Sequence, residues 1–199
     1  MKKRLPIGND DFAEVRRQNL YFIDKSLMIR DFLDTGDKVT LITRPRRFGK
    51  TLNMTMLREF FDITKDSRQL FQGLSIMDTE YASQINSRPV IFLTLKDCKG
   101  TTAQEMLLLM KKQIYLEYMR YEKNMKGKLD EASLLAQDFR AMIDVLRDPA
   151  SLPVLFTDSI RLLCQIIREQ YGVPPLLLID EYDQPVMSSY EYGYHDSVG

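Results

Sequence analysis

Val39-Thr40-Leu41-Ile42-Thr43-Arg44-Pro45-Arg46-Arg47-Phe48-Gly49-Lys50-Thr51 is the stretch on which the reading of the fold turns. Its first five residues are β-branched or aliphatic and read as a brief strand. A tight basic loop interrupted by Pro45 follows, and from Lys50 to about Asp62 the pattern becomes helical. Strand, loop and helix in that order can lay an anion against backbone N–H groups at a helix start. A triphosphate needs close N–H donors, a mobile cation and a metal-binding hydroxyl, and the pattern G-x-x-x-x-G-K-[ST] supplies all three. Here Gly49 would let the backbone approach the phosphates, Lys50 would reach the β and γ phosphates, and the Thr51 hydroxyl would ligate Mg²⁺. Arg44, Pro45, Arg46, Arg47, Phe48, Gly49, Lys50, Thr51 and Leu52 form the candidate nucleotide-binding set.

The first glycine of that pattern is replaced by Arg44. Taken alone, the run therefore also reads as a basic surface turn that touches nucleic acid or nothing. A second segment weighs against the turn. Leu176-Leu177-Leu178-Ile179-Asp180-Glu181 is an apolar run ending in two carboxylates, as expected of a parallel strand buried on both faces. An aspartate at such a strand end can hold Mg²⁺ through its water shell, and the adjacent Glu181 can orient and deprotonate an attacking water. A buried strand that simply exits into solvent is the plainer alternative. Both segments in one chain, in this order, favour the catalytic reading: Glu181 and Lys50 catalytic, Thr51 and Asp180 on the metal.

Elsewhere, Asp24 reads as the cap of a helix through Leu33 that stops at Gly36. Residues 90–95 (V-I-F-L-T-L) form a second strand candidate behind Pro89. Thr102 and Glu105 have capping-box spacing ahead of a helix to about Tyr121, and Gly127 lies in the polar break beyond it. Further helices are expected from about Asp130 to Arg147 and from near Pro153 to Tyr171, the latter ended by Gly172 and Pro174. Strands separated by helices predict a parallel sheet wrapped by helices, with ligand sites at the carboxyl ends of the strands.

The 199 residues suit one domain, and 28 basic residues balance 28 acidic ones, so no global field draws the chain to DNA or an anionic membrane. Cys98 and Cys164 lie outside any metal-ligand or redox spacing, which predicts inert thiols in a reduced, cytoplasmic protein. The N-terminal residues lack the apolar core of a signal peptide, and no run reaches membrane-spanning length. His195, the single histidine, has no visible partner in sequence and is assigned no role. Met106, Met110 and Met119 are expected to fill core space, and Phe48 to pack under the loop. Arg46 and Arg47 either steady a triphosphate or pair with surface acids.

The segments T-R-P-R-R-F-G-K-T (43–51), L-L-L-I-D-E-Y-D-Q-P (176–185) and Y-F-I-D-K-S (21–26) together resemble the bacterial AAA-ATPase-like family. The resemblance also takes in D-F-A-E-V-R (11–16) and P-V-I-F-L-T-L-K-D (89–97), and so covers nearly the whole chain. It implies an α/β P-loop NTPase three-layer sandwich, with Arg44 a family feature of the Walker A loop, and Asp180 and Glu181 the metal and water-activating positions of the Walker B strand. It further implies ATP and Mg²⁺ as cofactors, ATP being preferred over GTP on the resemblance alone. A nuclease-like domain further along the full-length protein is the implied companion.

The expected organisation is a single domain over 1–199, with a lead-in over 1–37 and a phosphate-loop core over 38–199. Only 18 residues follow Glu181, too few for the strands that normally complete such a sheet, so a C-terminally incomplete domain is expected. Hydrolysis is then a property of the full-length form. The rival readings are a nucleotide-dependent switch without turnover, a small-molecule phosphotransferase, and a nucleic-acid-linked motor, which nothing in the neutral charge demands.

Overall fold

The Asp11 carboxylate accepts the Glu14 N–H at 2.9 Å and starts the first helix, α1 (Phe12–Arg17). The chain is described by a computed structural model over residues 3–43, 48–127, 129–130 and 132–197. It divides into two units, Met1–Val90 and Ile91–Gly199.

In the first unit α1 is followed by α2 (Leu27–Thr35) and α3 (Lys50–Phe61), then by 3₁₀ turns at Arg68–Phe71, Ser75–Asp78 and Glu80–Gln84. Aromatic packing builds its core. Phe12 and Phe71 lie 4.9 Å apart between ring centroids, Phe60 and Phe71 5.3 Å, and Phe60 and Phe61 5.0 Å. All four rings are buried, and each such pair adds about 0.5–1.5 kcal/mol beyond the burial of its area. Behind them Glu59, 1% exposed, accepts the Ser67 hydroxyl at 2.7 Å and pairs with Lys65. That buried carboxylate fixes the far end of α3 to the loop beyond it.

Two expectations for this unit need correction. The α2 cap position belongs to Ser26, and Asp24 instead accepts the Ser26 N–H at 2.8 Å and both the N–H and hydroxyl of Ser75 at 2.8 Å. Burial opposes the Asp24 charge, but the hydrogen bonds from Ser75 and Ser26 outweigh it and hold the carboxyl below its ordinary value. The strand expected over residues 39–43 is absent as a paired element: Val39 is 87% and Leu41 63% exposed. A strand exists only through ladder partners, and β-propensity without them leaves an extended, solvated segment.

The second unit contains β1 (Val90–Thr94), whose first residue falls at the division, then α4 (Ala103–Met125), α5 (Leu134–Arg147), a 3₁₀ turn at Pro153–Phe156, α6 (Ser159–Tyr171), β2 (Leu176–Asp180) and α7 (Gln184–Glu191). The strands pair in parallel as a two-stranded sheet. Mixed helices and parallel strands make this α/β. The core gathers Ile91 and Leu93 of β1 with Tyr118, Phe139, Ile143 and Ile166 of the helices. Tyr118 stacks on Phe139 at 5.1 Å and donates its phenol to the Ser159 carbonyl at 2.6 Å, which satisfies the buried hydroxyl.

Helix ends here follow local chemistry. Thr102 caps α4 through the Glu105 N–H at 3.2 Å, while Glu105 returns its carboxylate to Thr101 at 2.8 Å, one residue earlier than a capping box would place it. Ser133 caps α5, so that helix begins later than Asp130. The 153–171 stretch is a 3₁₀ turn and a separate α-helix, ended by Gly172 at φ 72°. β2 is covered on one face: Leu178 is 5% and Asp180 3% exposed, against 39% for Leu177 and 37% for Ile179. That alternation corrects the expectation of burial on both faces, because full burial needs a layer on each side of the sheet.

Candidate nucleotide site

The site residues expected from sequence fall in both units, Arg44 to Leu52 in the first and Asp180 with Glu181 in the second. Arg44, Pro45, Arg46 and Arg47 lie outside the described residues.

In the first unit Gly49 has φ 75° and ψ 29° and stands immediately before α3. That left-handed conformation is open to glycine at little cost and lets the chain turn sharply into the helix. The Gly49 carbonyl accepts the Asn53 N–H at 3.0 Å, leaving the first-turn N–H groups directed out of the helix start. Among the described residues no side chain caps them, and no acidic residue lies in the first turn. The first helical residue is instead Lys50, half-buried, followed by half-buried Thr51 and Leu52. A helix N-terminus carries about half a positive charge, and here a lysine adds to it where an acid would ordinarily offset it. The arrangement suits an incoming anion.

The base under this turn is firm. Thr55 accepts the Phe12 N–H at 3.0 Å, Arg58 pairs with Asp11 at 3.0 Å, and Met56, Leu57 and Phe60 are buried. Phe48, expected under the loop, is 59% exposed. Asn53, which sequence reading passed over, is 2% exposed, and its amide nitrogen has no hydrogen-bond partner among the described residues. Its signal was present in the sequence as a polar residue on the apolar face of α3, one turn after Lys50.

In the second unit Asp180 closes β2. Its carbonyl accepts the Leu95 N–H at 2.9 Å, and its carboxylate is buried, with Oδ2 lacking any partner among the described residues. An orphaned carboxylate oxygen is costly unless something cationic or donating reaches it. This donor fits Mg²⁺ with its water shell, which asks few ligands of the protein. Glu181 follows with φ 53°, and its carbonyl accepts the Gln184 N–H at 3.0 Å, turning the chain into α7. A non-glycine residue there is strained, and such strain collects at functional positions. Tyr182 is half exposed.

Other expectations lie away from both places. Met106 is buried and Met119 packs on the core of the second unit, both as fillers. Cys98 and Cys164 are free thiols; burial raises both, Cys98 to about 11. His195 stacks on Tyr190 at 4.8 Å. No helix among the described residues is long and apolar enough to cross a membrane.

The chain is 37% identical over 192 residues to "Uncharacterized protein in vnfD 5'region" of Azotobacter chroococcum mcd 1, an alignment covering 94% of this chain and 30% of that one. It thus spans about a third of the length of the curated relative it matches. No solved structure matches it. The family model described as predicted AAA-ATPase matches residues 6–197, and with the loop at Gly49 to Thr51 and the strand end at Asp180 on that alignment, the chain belongs to the AAA-ATPase-like family, which implies nucleotide binding.

Proposed function

We propose that this chain is a Mg²⁺-dependent ATP-binding domain of the three-layer P-loop class, and that the full-length protein hydrolyses ATP. The observation that carries the reading is the start of α3: a helix beginning at a left-handed glycine with a lysine as its first residue and no side-chain cap among the described residues. Backbone N–H groups of that turn and the Lys50 ammonium would receive the β and γ phosphates, which need fixed donors and a cation. Thr51 and Asp180 would hold the metal. Mg²⁺, when bound, supplies charge neutralisation across the phosphates. Glu181 would orient and deprotonate the attacking water, and Lys50 would counter the charge that develops on the γ phosphate. A nuclease-like companion domain belongs to the same proposal.

Calorimetry of the purified chain with ATP, with and without Mg²⁺, tests it. The expected result is saturable binding that Mg²⁺ strengthens and that Lys50→Ala weakens by at least about tenfold, since a charge-assisted contact is worth roughly 1.5–3 kcal/mol. Binding unchanged in Lys50→Ala would return residues 44–51 to a basic turn. In a longer form that turns over, Glu181→Gln should keep binding while losing hydrolysis; equal loss of both would make Glu181 structural.

A further inference from the structure

A cavity of about 290 Å³ opens in the second unit between the first turns of α4 and the segment after α5, with Leu107, Leu108, Pro153 and Phe156 on its walls. Lys111 also lines it, although the residue is only 3% exposed. Its ammonium donates to the Asp148 carbonyl and the Ser151 hydroxyl oxygen and stands 5.4 Å from the centroid of the Phe156 ring. The Ser151 proton is engaged elsewhere, on the Val145 carbonyl at 2.8 Å. Among the described residues no carboxylate forms an ion pair with Lys111.

The charge is therefore held by dipoles and a π face. Asp148 is the C-cap of α5, and a helix C-terminus supplies about half an elementary negative charge. The remainder is uncompensated in an apolar surrounding, where a buried cation ordinarily has an anionic partner. A lysine needed only to tie α4 to the loop would be expected to do so from solvent, with its head exposed. Here the head is buried and borders an open, mostly apolar space.

We propose that this cavity binds a small amphiphilic monocarboxylate, its carboxylate paired with Lys111 and its apolar chain lying against Leu107, Leu108 and Phe156. The charge match sets the head group: one ammonium with few neighbouring donors suits a monoanion, whereas a phosphate dianion calls for several. Gln104 on the rim adds a side-chain amide within the lining. The volume sets the size, near the lower end of the range for small-molecule sites, about 300–1,000 Å³, and enough for a chain of roughly eight carbons. The site is separate from the nucleotide reading and does not depend on it.

Octanoate and octanol, titrated calorimetrically into the full chain, provide the test. Octanoate should bind saturably at one site, and octanol on the order of tenfold more weakly, the difference expected of a charge-assisted contact. Lys111→Met, which keeps chain length and apolar packing, should lower octanoate to the octanol level and leave octanol unchanged. Leu108→Trp, which fills the cavity and leaves Lys111 in place, should abolish both, and Lys50→Ala should change neither. Absence of saturable octanoate binding, equal affinity for octanol, or octanoate binding indifferent to Leu108→Trp would overturn the proposal. Should Lys111→Met fail to fold, by circular dichroism, the octanol comparison and Leu108→Trp decide it on folded protein.

Discussion

The N–H of Leu95 donates to the carbonyl of Asp180 at 2.9 Å, so a rung joining the two chain segments falls on the residue whose carboxylate is buried and half unpartnered. The backbone of Asp180 is fixed by the sheet while its Oδ2 is left without a donor among the described residues. On the proposed reading, that oxygen is where the water shell of a metal ion would be held.

Asp180→Asn follows directly. Replacing a buried charge with a neutral amide removes a desolvation penalty, so nucleotide-free protein should gain about 1 kcal/mol in urea unfolding. The strengthening of ATP binding by Mg²⁺ should disappear in the same variant. A variant that loses stability and keeps its Mg²⁺ response would show that Asp180 serves the fold.

Glu181 carries the complementary prediction. At φ 53° an L-residue is strained by roughly 1–2 kcal/mol relative to glycine, and glycine returns about 0.5–1 kcal/mol of that through its larger unfolded-state entropy. Glu181→Gly should therefore raise stability by about 0.5–1 kcal/mol while turnover in a full-length form is lost. Chemical denaturation beside a phosphate-release assay reads both. Destabilisation would mean that the Glu181 side chain holds the turn into α7 together.

What the sequence made legible was local. Gly49 before Lys50, Gly36 and Gly172 after their helices, and Thr102 at the start of α4 act through their own backbone and first-turn neighbours, and each stands where its chemistry predicts. The same logic would have found α1, where Asp11 and Glu14 have capping spacing, and α7, where Pro185 follows Asp183. The three 3₁₀ turns between Arg68 and Gln84 follow neither helical nor strand periodicity, so Leu70, Phe71 and Ile76 give no pattern although all are buried. Residues 39–43 show the opposite limit. Their composition suits a strand, but pairing depends on partners distant in sequence, and propensity carries no information about those. Lys111 escaped notice because burial of a polar side chain is a tertiary fact, whereas Asn53 was passed over although its place on the apolar face of α3 was readable.

Gly100 offers a packing test. A Cβ added there would sit 2.2 Å from the Met106 backbone nitrogen and 2.7 Å from its Cα, against helix backbone that cannot give way. Its carbonyl also accepts the Tyr194 hydroxyl at 2.8 Å. Gly100→Ala should therefore displace the start of α4 and lower stability by about 2 kcal/mol or more, at the upper end of overpacking costs. A thermal melt within a degree of the unaltered protein would show that residues 95–102 relax freely. Tyr194→Phe, which removes the hydroxyl alone, should have only about 1 kcal/mol of effect.

Cys98 gives the pH prediction. It is fully buried, and its thiol is pushed up to about 11, first by burial and then by the nearby Asp97 charge. The unfolded value is the ordinary one, about 8.5–9. Raising a folded-state value means that the folded protein retains a proton which the unfolded chain gives up. The resulting contribution to stability is fully present below about 8.5 and is lost to the folded state only as pH climbs toward 11, where the thiol must ionise in place. Folding therefore becomes more proton-retaining than unfolding between these limits. Tyrosines and lysines titrate in the same range, so the comparison must be with Cys98→Ala, which shares them. The pH dependence of urea unfolding should differ between the two proteins only above about pH 8.5, and alkylation of Cys98 in the folded chain at pH 8 should be slow beside that of a denatured control. Rapid alkylation under native conditions would place Cys98 in solvent and remove the basis of the prediction.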